Sequence, residues 1–141
     1  MAKEALKGIG GWLLVFVICI ALSVFYGAFS IVSLLIILIS SGLISNIFVI
    51  ISILMALVPL SLLLINGILI LQKYEKAIKF TIFTLIFNFI WFLAELGFMV
   101  ITGSNALTGL WPAYLILNLA WAVIWVIYFK KSKRVKNTLT K

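Results

Sequence analysis

The 141-residue sequence has no histidine, no aspartate, one cysteine (Cys19) and three acidic residues, Glu4, Glu75 and Glu95. One cysteine excludes a disulfide framework, and without histidine there is no Cys/His zinc site and none of the common haem ligation modes. Three separated glutamates are too few for paired acid/base work, and no cofactor motif is present, so an enzyme is the least expected class. No cofactor and no metal site is expected. Charge is scarce as well: 10% of residues are charged, against roughly 25% in soluble domains. What remains is 66% hydrophobic, with a mean hydropathy of +1.36. No polar half is left over for a water-soluble domain, and residues 1–141 read as one membrane domain.

A helix crosses the roughly 30 Å hydrocarbon core with about 20 apolar residues. Four such runs are present, at about 12–38, 47–71, 80–101 and 111–129, and Glu95 is the only formal charge inside them. Lys3 and Lys7 precede the first run, Lys73, Lys76 and Lys79 separate the second from the third, and Lys130 onward follows the fourth. Residues 40–46 and 102–110 carry no lysine or arginine. The positive-inside rule therefore places both termini and the middle loop in the cytoplasm, with Trp12, Trp111, Tyr114 and Tyr128 near span ends. Lys3 and Lys7 before an apolar run also suit a signal peptide. That run continues past residue 25 without a convincing small-x-small site, so the segment is expected to remain as a span. No internal repeat is visible, and short loops imply antiparallel neighbours.

Polar residues inside the spans follow helical spacing. Cys19, Ser23, Tyr26, Ser30 and Ser33 alternate steps of four and three, and Ser45, Ser52, Pro59, Asn66 and Lys73 recur every seven. Thr81, Thr84, Asn88, Trp91, Glu95 and Thr102 form a third stripe, and Tyr114, Asn118, Trp121, Trp125 and Tyr128 a fourth. Polar groups in lipid need a protein partner or a wet cavity. The expected architecture is an all-α polytopic membrane protein, an antiparallel left-handed four-helix bundle with its stripes inward. Ser and Thr positions read first as packing residues, while Pro59 should kink the second helix.

Glu95 is the one carboxylate in a span, and an intramembrane ionisable residue is a functional-site hypothesis by default. Counting about 1.5 Å per residue puts it roughly 10 Å below Thr102, level with Asn118 on the next helix. With no cation in any span, Glu95 is expected protonated and donating to Asn118. One alternative is a structural lock between two helices; the other is a proton or cation site. Asn88, deeper on the same face, and Asn66 in the second span could extend a polar path, with Tyr26 as a further polar position. The bulk of Trp91, Trp121 and Trp125 disfavours a wide monomeric pore.

After the fourth span come Lys130, Lys131, Lys133, Arg134, Lys136 and Lys141, with no acid among them. Such a cluster fixes orientation and attracts anionic headgroups at about 1 kcal/mol per residue near the surface. Membrane lipid is the expected partner, together with a membrane protein or a second copy, and nucleic acid is not.

Two terminal patterns carry a resemblance: Gly8-Ile9-Gly10-Gly11-Trp12-Leu13, and the stretch from Tyr128 and Phe129 through Ser132, Lys133, Arg134, Val135, Lys136, Asn137 and Thr138 to Leu139. The chain resembles domain of unknown function 2569, a family of small bacterial inner-membrane proteins with four predicted helices. Leu139 stands where that family usually has Phe. The resemblance implies a bacterial cytoplasmic-membrane location and no established activity. It also implies that Ser132, Arg134, Val135 and Thr138 form a specific feature, such as a segment docked on the cytoplasmic face. The leading expectation is a structural or interaction role with a membrane partner, itself or lipid. The alternative is a small oligomeric transporter or channel component using Glu95.

Overall fold

A computed structural model describes residues 9–41, 47–101 and 111–139, and among these every regular element is helical. The elements are α1 (Trp12–Ser41), α2 (Ile47–Leu71), α3 (Lys76–Ile101), α4 (Trp111–Lys131) and α5 (Lys133–Thr138). The first four are long and apolar enough to cross a membrane. Lys3, Lys7, Ser45, Thr102 and Lys141, with most of both uncharged loops, lie outside the described residues. α3 starts four residues before the expected apolar boundary because lysines at 76 and 79 are good helix formers, as is the pair that extends α4 to Lys131.

The chain packs as two compact units, Ile9–Lys73 holding α1 and α2, and Tyr74–Lys141 holding α3, α4 and α5. In the first unit α1 and α2 pack together where glycine removes a side chain. A Cβ on Gly27 would stand 2.7 Å from Leu60 Cδ1, and one on Gly67 would stand 3.3 Å from Ile20 Cγ2. Moving from Gly27 to Ile20 goes back along α1 while Leu60 to Gly67 goes forward along α2, so the pair is antiparallel. Leu13, Phe16, Ile20 and Ile70 are buried. α2 runs unbroken through Pro59, and just beyond it the Ser61 hydroxyl donates to the Val58 carbonyl at 2.8 Å.

Two backbone reversals stand at one end of this pair. Gly11 has φ 55°, a left-handed value glycine adopts freely, and its carbonyl accepts from the N–H groups of Leu14 and Val15 to open α1. Lys73 has φ 60° just past the end of α2, and its N–H donates to the Ile70 carbonyl. This is the helix-ending position usually held by glycine or asparagine, and a lysine there bears a penalty of roughly 1 kcal/mol.

In the second unit α3 and α4 pack together. The buried residues of α3 are Ala77, Thr81, Thr84 and Leu85, all in its N-terminal half. Those of α4 are Ala122, Trp125 and Phe129, all in its C-terminal half. Aromatic side chains run along both helices: Phe80, Phe83, Phe87 and Trp91 in sequence on α3, and Trp121, Trp125, Tyr128 and Phe129 on α4, with centroid separations of 5.3–6.2 Å.

Candidate functional site

The polar stripe of α3 holds its expected face in the packed half of the helix. Thr81, Thr84, Asn88, Trp91 and Glu95 succeed one another at three- and four-residue steps, which keeps side chains on one face. Thr81 and Thr84 are fully buried, and Asn88 and Glu95 are half-buried. Thr84 Oγ1 and Asn88 Oδ1 are both buried and have no hydrogen-bond partner among the described residues. Buried polar atoms of this kind are uncommon, because each retains its desolvation cost without a compensating bond.

Glu95 takes its hydrogen bond from the Trp91 side chain, one turn earlier on the same helix. Indole N–H is a donor only, so the carboxyl group accepts. The expected pairing of Glu95 with Asn118 is not formed. Asn118 is exposed on α4, and its Nδ2 donates to the Tyr114 carbonyl at 2.9 Å. A carbonyl four residues back is always within reach of a helical asparagine, and this local bond replaces the cross-helix one. The sequence places Trp91 in the same stripe as Glu95, and their i, i+4 spacing is the signal for this bond.

The stripes of α1 and of the N-terminal half of α4 are not buried in their helix pairs. Ser23, Tyr26 and Ser30 are exposed, as are Tyr114, Asn118 and Trp121. On α1 the cause is angular: at 100° per residue the stripe centres roughly a quarter turn from the line of Leu13, Phe16, Ile20 and Gly27 that faces α2. Tyr26 is 73% exposed and is the fifteenth residue of a 30-residue helix, near mid-span. Asn66 behaves oppositely, fully buried on α2 and engaged in contacts there.

The basic tail is a built element. Ser132 caps α5, its hydroxyl oxygen accepting from the Val135 N–H at 3.4 Å, and the Leu139 N–H closes the helix on the Val135 carbonyl at 3.0 Å. Val135, Thr138 and Leu139, spaced to share one face, are buried. Lys130, Lys131, Lys133 and Lys136 are exposed, and Arg134 is half-buried.

Residues 6–140 match the family described as Protein of unknown function (DUF2569). The chain belongs to this family. Comparison with curated proteins and with solved structures gives no match. In this DUF2569 protein both terminal patterns acquire physical content. The Gly-Gly-Trp start supplies the left-handed glycine that opens α1. The Ser-x-Arg-Val pattern with its following Thr supplies a cap and two buried side chains of α5, and Leu139 is buried where a larger Phe is usual in the family. In the sequence Lys73 is a loop charge and the last member of the α2 stripe, and nothing in its spacing announces the left-handed backbone.

Proposed function

We propose that this protein is a membrane-embedded interaction protein, not an enzyme, that associates with a second copy of itself through the Tyr26 face of α1. The carrying observation is the Tyr26 phenol, exposed near the middle of a helix long enough to span a membrane and without a hydrogen bond among the described residues. Tyrosine ordinarily sits at the headgroup level, and a hydroxyl facing hydrocarbon lacks the partner that water would supply. Serine can satisfy its hydroxyl on its own helix, but the Tyr26 ring carries its hydroxyl too far out for that. A hydroxyl both donates and accepts, so two copies meeting across a two-fold axis satisfy each other. Beside Tyr26 lies a groove of about 310 Å³ lined by Ser23, Gly27, Ser30, Pro59 and Leu60, among others. It lies at the depth where a second copy presents its own Tyr26 ring.

Cys19 lies on the same stripe, two turns from Tyr26, and serves as a native probe. In proteoliposomes, a short thiol cross-linker should join Cys19 of two copies, and Tyr26→Ala should reduce the yield while Tyr26→Phe reduces it less. Equal yields in all three proteins would overturn the reading. The lysine distribution supports placement in a bacterial inner membrane with both termini in the cytoplasm, and the exposed lysines around α5 support contact with anionic headgroups.

Thr84 Oγ1 and Asn88 Oδ1 favour a second reading, because two unbonded oxygens on the Glu95 face could take a proton-bearing water or a cation. That reading is a small oligomeric transporter or channel component. Flux of protons and monovalent cations in proteoliposomes, abolished by Glu95→Gln at matched insertion, would replace the first reading with it.

A further inference from the structure

The opposite side of the α1–α2 pair carries a second groove, independent of Tyr26. It has a volume of about 450 Å³ and is lined on α1 from Val17 to Ala28 and on α2 from Leu64 to Leu71, with apolar side chains throughout. Val17 to Ala28 covers about 16 Å at 1.5 Å per residue. That is close to half of the roughly 30 Å hydrocarbon core, the depth of one leaflet. A single alkyl chain can lie along the floor of such a slot, whereas a helix about 10 Å wide or more would rest across its rims.

The groove's Leu71 end lies beside charge. Lys73 stands two residues beyond Leu71, exposed and without an ion pair among the described residues, in a left-handed conformation that glycine would hold with less strain. Strain retained at a charged residue points to a use for the charge. From the Ile20–Gly67 contact, seven residues back along α1 reach Leu13 and six forward along α2 reach Lys73. The start of α1, with its positive dipole end, is therefore at the same level as Lys73. An apolar slot one leaflet deep, with an ammonium and a helix N-terminus at its mouth, has the chemistry of an anionic amphiphile.

We propose that this groove holds one acyl chain of an anionic phospholipid, with the headgroup phosphate against Lys73. The occupant is a stoichiometric ligand, distinct from the lipids that pass over the remaining surface. Ala21 and Ala28 line the groove and are exposed, so larger apolar side chains there fill the slot and leave the helix contact alone.

The test is native mass spectrometry of the full chain released from membranes of equimolar phosphatidylglycerol and phosphatidylcholine with identical chains. The unmodified protein should retain one lipid per chain, with phosphatidylglycerol preferred about fivefold, the equivalent of about 1 kcal/mol for one lysine at the surface. Lys73→Gln should keep the lipid and lose the preference, although every lysine of the tail remains. Ala21→Leu with Ala28→Leu should lose the lipid at unchanged helicity by circular dichroism. Retention of the preference in Lys73→Gln, or of the lipid in the filled-groove variant, would overturn the proposal. So would a dimer that the filled-groove variant alone dissolves, which would make a second copy the occupant. Tyr26→Ala should leave lipid retention unchanged, so loss of the Cys19 cross-link and loss of the lipid report on different faces.

Discussion

Leu139→Ala should release the tail. Leu139 is almost fully buried, next to buried Thr138 and one helical turn from buried Val135, and its N–H closes α5 on the Val135 carbonyl. Removing three methyl-sized groups from such a site costs about 2–5 kcal/mol when the surroundings relax only partly. A six-residue helix has almost no stability of its own, so this loss falls directly on docking. At about 1.4 kcal/mol per factor of ten, the lower figure raises the undocked population about twenty-five-fold. Trypsin reads that population, since Lys130, Lys131, Lys133, Arg134 and Lys136 lie in or beside α5, and cleavage follows the open fraction when reclosing is fast. In detergent micelles at low protease, the cleavage rate of Leu139→Ala should rise by that factor, while Asn137→Ala at an exposed position should match the unmodified chain. Equal rates for the two variants would refute the reasoning, because burial of Leu139 would then contribute nothing to holding the helix.

Ser132→Ala removes the cap and should raise the same cleavage rate about fivefold, corresponding to about 1 kcal/mol. Gly97 has open space where a Cβ would go, so Gly97→Ala should raise the detergent-unfolding midpoint by the equivalent of about 0.5–1 kcal/mol. Gly27→Ala should raise it less than Gly97→Ala, since the Leu60 Cδ1 end must turn aside to admit the methyl group; a larger gain at Gly27 than at Gly97 in sodium dodecyl sulfate titrations would contradict the packing of α1 on α2. Glu95→Gln preserves an acceptor for the Trp91 indole and should leave tryptophan emission unchanged, whereas Glu95→Leu should shift it.

The four long helices were legible because hydrocarbon imposes a length and an apolar composition that few other structures require. The facing of the polar stripes was legible on α3 and not on α1, for one physical reason. A stripe at heptad spacing fixes which residues share a face, but not what that face meets, and on α1 the contact with α2 is set by Gly27 and Gly67. Small residues let the backbones approach, and this outweighed the hydroxyls. Asn118 illustrates a second limit: depth along two helices put it level with Glu95, yet its own Tyr114 carbonyl was nearer. The tail was legible only as charge and as a family pattern, since three buried residues in a short helix produce no hydropathy signal.

The family pattern and the unusual backbone positions converge on one property of this chain. Gly11 and Lys73 both adopt left-handed backbone at the same end of the α1–α2 pair, and Ser132 places a capped helix directly after α4. Lysines accompany each of the latter two features, at 73 in one unit and at 130, 131, 133 and 136 in the other. Unstructured charge would suffice to orient the spans, because the positive-inside rule counts residues and ignores their conformation. A strained turn and a capped, buried helix hold those charges at fixed positions, which orientation alone does not require. Fixed cations beside a leaflet recognise individual anionic groups, so a change that keeps the charge of the α2 turn and moves it, such as Gln72→Lys with Lys73→Gly, should weaken selective lipid retention while leaving topology intact.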